Sequence, residues 1–419
     1  MSYEMRNRTV TSDSLDENPW FADWCRTVER GFHGEKPSDE FVRRELATMH
    51  AVGATLRGAY VDAVPAHAVG VDRPVATFVD WTGSLDLGGA LVDLHQISAV
   101  TVRATHRRRG LLRQLMTASL HRAHEHGVPV AGLTASEATI YGRFGFAPAT
   151  RLQRAEVDTR GGLPMATRAV GTTEFVDPDE LEAVAVEVFD AAHRRWTGSV
   201  HRDPTTMPTY LGLVDEKGSA DPKLHAAAHW DDAGALDGYV TWTAWSDDKP
   251  AATIQDLVVT SWSAYLSLWH LLGSLDLIDT VTWRKGPLDD PLPWVLVDHR
   301  RYKVTSVHDH LWLRVLDPAA VLSARDYRVD AAVTLEVVDP LGLAGGRWLL
   351  ETEGGRGHVT STTAADVRID VRGLSAAILG GVSVLTLARV GLVEGDTDGV
   401  ADLDRLLRRA ELPWSTTGF

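Results

Sequence analysis

A strand leading into a helix is written twice in this chain, and the two copies can be laid residue on residue. Ile97, Val100, Val102, Leu111 and Leu115 fall on Ile254, Leu257, Val259, Leu268 and Leu272 at one constant offset. The step of two from Val100 to Val102 is that of a strand face, and the step of four from Leu111 to Leu115 is that of a helix face. A duplicated strand–helix unit confines the earlier part of the chain to two mixed α/β units, and 419 residues leave room for a third. After the second copy the pattern changes. A short helix is expected at Pro318–Ser323, an alternating strand at Ala331–Val338 and a hairpin turning at Gly354-Gly355, followed by helical stretches at Leu374–Arg389 and Gly399–Ala410. We expect α/β (α+β) units over residues 1–155, 156–303 and 304–419.

The copies differ in the turn between strand and helix. In the first, the strand LHQISAVTV (Leu94–Val102) passes through RATH into a helix expected over Arg109–His126, and the turn carries Arg107, Arg108, Arg109 and Gly110. In the second, the same places hold Ala264, Tyr265, Leu266 and Ser267. A helix N-terminus leaves N–H groups unpaired and bears the positive end of the helix dipole, so an anion placed there gains several donors at once. Gly110 lets a phosphate approach the backbone and the arginines add charge, so a diphosphate fits this arc of donors. Two other readings compete: a solvated basic helix start, and a patch for nucleic acid. The first sets arginines against the helix dipole. The second wants further basic clusters and aromatic platforms, in a chain with 57 Asp and Glu against 42 Lys and Arg and a net charge of −15. That field repels phosphate backbones and attracts cationic small molecules.

The strand, the turn and the helix resemble the acyl-CoA motif of the GNAT acetyltransferases. Arg107 stands at the motif's first position, Gly110 at its central glycine, and Leu112 where the family has a small residue. ASEATIYGRFGFAPAT (Ala135–Thr150), together with THRRRGLL and the order of the three units, is similar to the Eis (enhanced intracellular survival) subfamily, and the resemblance spans essentially the whole chain. It implies two tandem GNAT-like mixed sheets and a C-terminal sterol-carrier-protein-like α/β domain containing VTLEVVDPLG, GRWLLETEGG and DVRIDVRGLSAAILGG. It also implies an acetyl-CoA-dependent N-acetyltransferase that acts on amines of polycationic, aminoglycoside-like small molecules or on lysine-like amines. Carried over residue by residue, it places acetyl-CoA against Val100, Thr101 and Val102 and against Arg107 at the head of the motif, and its pyrophosphate at Arg108, Arg109, Gly110, Leu111, Leu112 and Arg113. Ser136 and Glu137 add further contacts. Tyr141 is then the proton donor to the leaving thiolate, and the carboxylate of Phe419 is the general base acting through water. A phenol with a pKa of about 10 is a reasonable acid for a thiolate. Gly418 supplies no second carboxylate there. The resemblance further implies a homohexamer, and the second unit, without the glycine turn, is expected to bind no CoA and to wall the acceptor pocket. The alternative from another class is a non-catalytic lipid-binding or scaffold protein that uses the third unit.

The remaining signals are blander. The single cysteine, Cys25, allows no intrachain disulfide and reads as a small buried hydrophobe. MSYEMRNRTV has no apolar run of a secretory leader, and Leu374–Ala388 is shorter than the about 20 residues a membrane span needs, so no membrane partner is expected and the cytoplasm is the expected compartment. HRAHEHG (His121–Gly127) and His308-Asp309-His310 read as exposed surface rather than as a metal site. Asp23, Glu29, Glu35 and Asp39 are candidate acceptor-site carboxylates, Ala99 is small enough to widen a pocket, and Trp20 and Trp24 are placed near its mouth.

Overall fold

The computed structural model describes residues 2–215, 219–220, 222–245 and 249–419. The first stretch folds as β1 (Tyr3–Thr9), α1 (Phe21–Gly31), α2 (Asp39–Ala51), β2 (Thr55–Val61), β3 (Ala76–Asp86), β4 (Leu91–Val102), α3 (Leu111–Glu125), β5 (Val130–Thr134) and β6 (Ala147–Pro148). The second runs β7 (Arg151–Asp158), β8 (Thr172–Val176), α4 (Pro178–His193), α5 (Met207–Leu211), β9 (Leu224–Trp230), β10 (Leu236–Ala244), β11 (Ala251–Val259), α6 (Trp262–Gly273), β12 (Thr280–Gly286), α7 (Leu292–Val295) and β13 (Tyr302–Asp309). The third runs β14 (Leu311–Val315), α8 (Pro318–Ala324), β15 (Ala331–Val338), β16 (Gly346–Glu353), β17 (Arg356–Ser361), β18 (Val367–Asp370), α9 (Val371–Ala377), α10 (Val384–Arg389), β19 (Val393–Gly395) and α11 (Thr397–Leu407). Contacts divide the chain into two units. One comprises residues up to 150 with 310–410 and 417–419; the other comprises 151–309 with 411–416.

The first unit holds a seven-stranded sheet in the order β1-β2-β3-β4-β5-β14-β6 and a five-stranded sheet in the order β17-β16-β15-β18-β19. In the larger sheet only β4 and β5 run parallel, through Leu94↔Val130, His95↔Ala131 and Gln96↔Gly132. Helix α3 makes that crossover and buries Leu111, Leu115, Met116 and Leu120 on one face of the sheet. Helices α1 and α2 cover the other face with Phe21, Trp24, Val42 and Leu46. β14 lies beyond residue 303, within the stretch read linearly as a third unit, yet it pairs antiparallel with β5 from Leu311↔Thr134 to Val315↔Val130. Without it β5 would present a bare strand edge. Ser375 Oγ accepts the Val315 N–H at 3.0 Å, and the buried Arg314–Asp339 pair (2.6 Å) fixes β14 from the loop after β15.

The second unit is a seven-stranded sheet in the order β13-β7-β12-β11-β10-β9-β8, in which β11 and β12 form the parallel pair. Its core gathers Trp242, Trp269, Trp283, Leu268 and Leu272.

Three expected elements are corrected. The helix expected from Arg109 starts at Leu111, because Arg108 (φ 62°) and Gly110 (φ 78°) take left-handed backbone that no helix continues. The stretch Leu374–Arg389 is two short helices separated by Gly380 (φ 81°), not one. The stretch Glu137–Arg143, which reads from the sequence as a short helix, instead leads into a single 3₁₀ turn at Tyr141–Phe144.

Candidate active site

The two parallel strands part company. β4 and β5 pair only as far as Gln96 and Gly132, while β4 continues to Val102 and β5 to Thr134. The divergence has a local cause on β4. Opposite β3 the register runs Val79↔Ser98 and then Thr77↔Thr101, so Ala99 and Val100 together face Phe78 as a bulge, and Ala99 adopts φ 50°. A bulge bends its strand. Thr77 locks it, its hydroxyl donating to Ala99 O at 2.8 Å and lying 2.6 Å from the Thr101 hydroxyl. The β5-facing backbone of Ser98–Val102 is thereby left off the ladder and can pair with an extended, amide-bearing chain. Val100 and Val102 pack with Leu111, Tyr141 and Phe146, while Ala99 packs on the α1 side with Trp81 and Trp24.

At the head of this opening stands the N-terminus of α3. Its hydrogen-bond ladder begins with Gln114 N–H on Gly110 O at 3.0 Å, so helix geometry gives Leu111, Leu112 and Arg113 N–H no intrahelical acceptor. A side chain built at Gly110 would meet no atom within 4 Å, so the glycine is required by its φ and keeps the approach to those N–H groups open. Arg107, Arg108 and Arg113 are exposed and form no ion pair among the described residues. Arg109 is placed differently, its guanidinium 6.0 Å from the centre of the Tyr3 ring. Tyr3 also holds His106, hydroxyl to Nδ1 at 3.0 Å; burial, then Arg103 and Arg109, lower the His106 pKa. Arg107–Arg109 thus precede the helix and Arg113 lies in its first turn, so all four stand at the positive end of its dipole, an arrangement that an anion bound there would relieve.

Ser136 and Glu137 lie on the exposed turn after β5, and Tyr141 begins the 3₁₀ turn that follows. The Tyr141 ring is 4 % exposed and meets Phe146 edge to face at 6.3 Å, yet its hydroxyl has no protein hydrogen bond among the described residues. Burial, reinforced by Glu137, raises its pKa, so it stays a neutral phenol with a proton to give. Phe419 lies where β4 and β5 separate. Its main-chain oxygen accepts the Thr134 hydroxyl, and its ring packs edge to face on Trp81, which is paired with the last laddered residue of β4, Gln96. His310 Nε2 donates to Thr417 O at 2.9 Å and holds the segment there. His310, read from the sequence as surface, thus has a positioning task. Trp81, Thr134 and His310 were not legible as site residues, because only long-range pairing brings them together.

The acidic candidates are only partly available. Asp23 is shared between Arg26 (2.7 Å) and Arg73 (2.9 Å), and Asp39 sits exposed in the first turn of α2. Glu29 and Glu45 lie close enough to Cys25 that both act with burial to push its thiol well up, which suits an inert thiol. Trp24 is stacked on Phe21 within the core and is not at a mouth. Among the described residues no group of His, Cys, Asp and Glu could hold a metal ion, and no helix is long and apolar enough to cross a membrane.

Acetyltransferase (GNAT) domain models match residues 20–149 and 198–315, and a sterol carrier protein domain model matches 318–416. An uncharacterized N-acetyltransferase of Streptomyces griseus is 36 % identical over 426 residues, covering 95 % of this chain and 97 % of that one. N-acetyltransferase Eis of Mycobacterium tuberculosis is 34 % identical over 306 residues, covering 70 % and 72 %. The crystal structure of Eis1 from Mycobacterium abscessus superposes with a TM-score of 0.80 at 27 % identity, over 99 % of this chain and 100 % of that one. With its two GNAT sheets and sterol-carrier-like third domain, the chain belongs to the Eis-type GNAT N-acetyltransferases.

Proposed function

We propose that the chain moves the acetyl group of acetyl-CoA to an amine of a polycationic, aminoglycoside-like small molecule or to a lysine-like amine. The observation that carries this is the opening between β4 and β5, headed by an α3 N-terminus whose first N–H groups have no intrahelical acceptor and whose Gly110 leaves them accessible. These residues fit acetyl-CoA: Val100–Val102 backbone for the pantetheine amides, Leu111–Arg113 N–H and the arginines for the pyrophosphate, with Ser136 and Glu137 alongside. When bound, acetyl-CoA supplies a thioester whose thiolate leaves. Tyr141 holds the proton that the departing sulfur takes, and its raised pKa keeps that proton in place at neutral pH. The Phe419 carboxylate takes the amine's proton through water, positioned by Thr134 and Trp81. The net charge of −15 favours a cationic acceptor. Assembly as a homohexamer in the cytoplasm completes the reading.

Calorimetry with acetyl-CoA, and thiol release with an aminoglycoside as acceptor, test it. Saturable binding and acceptor-dependent release are expected; absence of acetyl-CoA binding overturns it. One residue added after Phe419 should cut turnover while leaving acetyl-CoA affinity unchanged, and undiminished turnover removes the carboxylate from the mechanism.

A further inference from the structure

The second unit opens its parallel pair as the first does. β11 and β12 pair from Ala251↔Thr280 to Ile254↔Trp283 and then diverge. Leu257 and Val259, which align with Val100 and Val102, line a cleft of about 200 Å³. Its walls are aromatic. Trp196 meets Trp414 at 4.5 Å, Trp414 meets Trp283 at 5.9 Å, Trp283 meets Tyr265 at 6.5 Å, and Tyr265 meets Trp262 at 5.7 Å between ring centres. Trp283 and Tyr265 are each 3 % exposed, whereas Trp262 is 63 % exposed. A closed core keeps no such volume and strands no such tryptophan in water.

The two charged side chains of the lining are both carboxylates, Asp289 and Glu411. Asp289 accepts the Leu412 N–H at 2.8 Å and so fixes that segment, whereas exposed Glu411 has no hydrogen-bond or ion-pair partner among the described residues. A phosphate finds nothing here. The turn has lost its arginines and glycine, and the Ser261 hydroxyl already accepts the Ala264 N–H (3.0 Å) at the start of α6. Tyr265 commits its hydroxyl to Asp290, so its contribution to the cleft is its ring. Aromatic faces carry negative potential and attract cations, most strongly when the cation is poorly hydrated.

We propose that this cleft is a second ligand site, taking a small organic cation of the quaternary or tertiary ammonium class, its alkyl groups against the rings and its charge facing Asp289 and Glu411. The proposal is independent of acetyl transfer in the first unit.

The full chain is titrated with choline and with 3,3-dimethyl-1-butanol, the neutral molecule of the same shape, by calorimetry and tryptophan fluorescence. Saturable choline binding with a change in tryptophan emission is expected, and the neutral analogue should bind roughly tenfold weaker or less. Trp262→Ala and Glu411→Gln, both at exposed positions that leave the core intact, should each weaken choline roughly threefold to tenfold. No saturable choline binding, equal affinity for the neutral analogue, or choline binding untouched by both substitutions overturns the proposal. So does a second equivalent of CoA that Trp262→Ala removes, since it would make the cleft a cofactor site.

Discussion

The two strand openings share a backbone and differ in what fills it. Between β4 and β5 the ladder stops at Gln96, the turn carries Arg107–Gly110, and Phe419 stands at the point of separation. Between β11 and β12 the ladder stops at Ile254, the aligned residues Ala264–Ser267 already belong to α6, and Trp283 and Trp414 wall the space. The two openings keep one backbone arrangement and differ in a handful of side chains, and function resides in sites rather than folds.

The largest effects should be those the two units share. Each buries an arginine–aspartate pair: Arg57 with Asp80 at 2.5 and 2.8 Å, and Arg202 with Asp256 at 2.6 and 3.1 Å. Removing one partner strands the other charge, so Arg57→Ala and Arg202→Ala should each cost about 3–5 kcal/mol in urea denaturation. If only one of them did, the units would not be equivalent supports.

Next come two buried tyrosines that part stability from activity. Tyr141 has a hydroxyl without a protein partner among the described residues, so Tyr141→Phe should leave stability unchanged and lower kcat about 100-fold. Tyr265 gives its hydroxyl to Asp290, so Tyr265→Phe should cost about 1–2 kcal/mol of stability and leave kcat alone. The opposite pattern would reverse the roles of the two openings.

A smaller effect separates Gly110 from its aligned position. Gly110→Val forces a β-branched residue into φ 78° and closes the approach to the α3 N-terminus, so acetyl-CoA affinity should fall about tenfold or more. Ser267→Val at the aligned place of the second unit should leave that affinity unchanged, because Ser267 lies inside α6, whose start is already capped by Ser261 on the Ala264 N–H. Calorimetry reads both, and a loss at Ser267 would give the second unit a cofactor role.

How far these features could be read beforehand depends on their range. The strand at Leu94–Val102, the glycine of the turn and the helix after it are local: alternation, a small residue and a four-residue spacing announce them. The start of α3 was misplaced by two residues because nothing in RRRG betrays the left-handed backbone of Arg108. β1 was missed because YEMRNRT is an edge strand with little apolar alternation. β14 was legible as a strand at best, since its pairing with β5 spans the whole second unit. The candidate site splits the same way. The turn can be argued from its own residues, whereas Tyr141 and Phe419 stand out only through family resemblance, and Trp81, Thr134 and His310 only in three dimensions.

The smallest effect is a matched acid sensitivity. His95 in the first unit and His193 in the second are each pushed down to about 4, chiefly by burial. His95 Nε2 lies 2.7 Å from Ser119 Oγ, with Asp80 raising its pKa and Arg57 and Arg122 lowering it. His193 Nδ1 lies 3.0 Å from Ser199 Oγ, with His201 and Arg194 lowering its pKa. Each imidazole is held neutral in the folded chain and takes a proton more readily when unfolded. Its stabilising contribution is therefore complete above the unfolded pKa of about 6.5 and is lost as the pH falls toward 4. Between pH 7 and 5.5 that amounts to about 1 kcal/mol per histidine. His95→Gln and His193→Gln should each remove about half of this shared slope in urea denaturation across that range, whatever they do to stability at pH 7. A slope that vanishes with one substitution alone would show that the two cores do not feel acid alike.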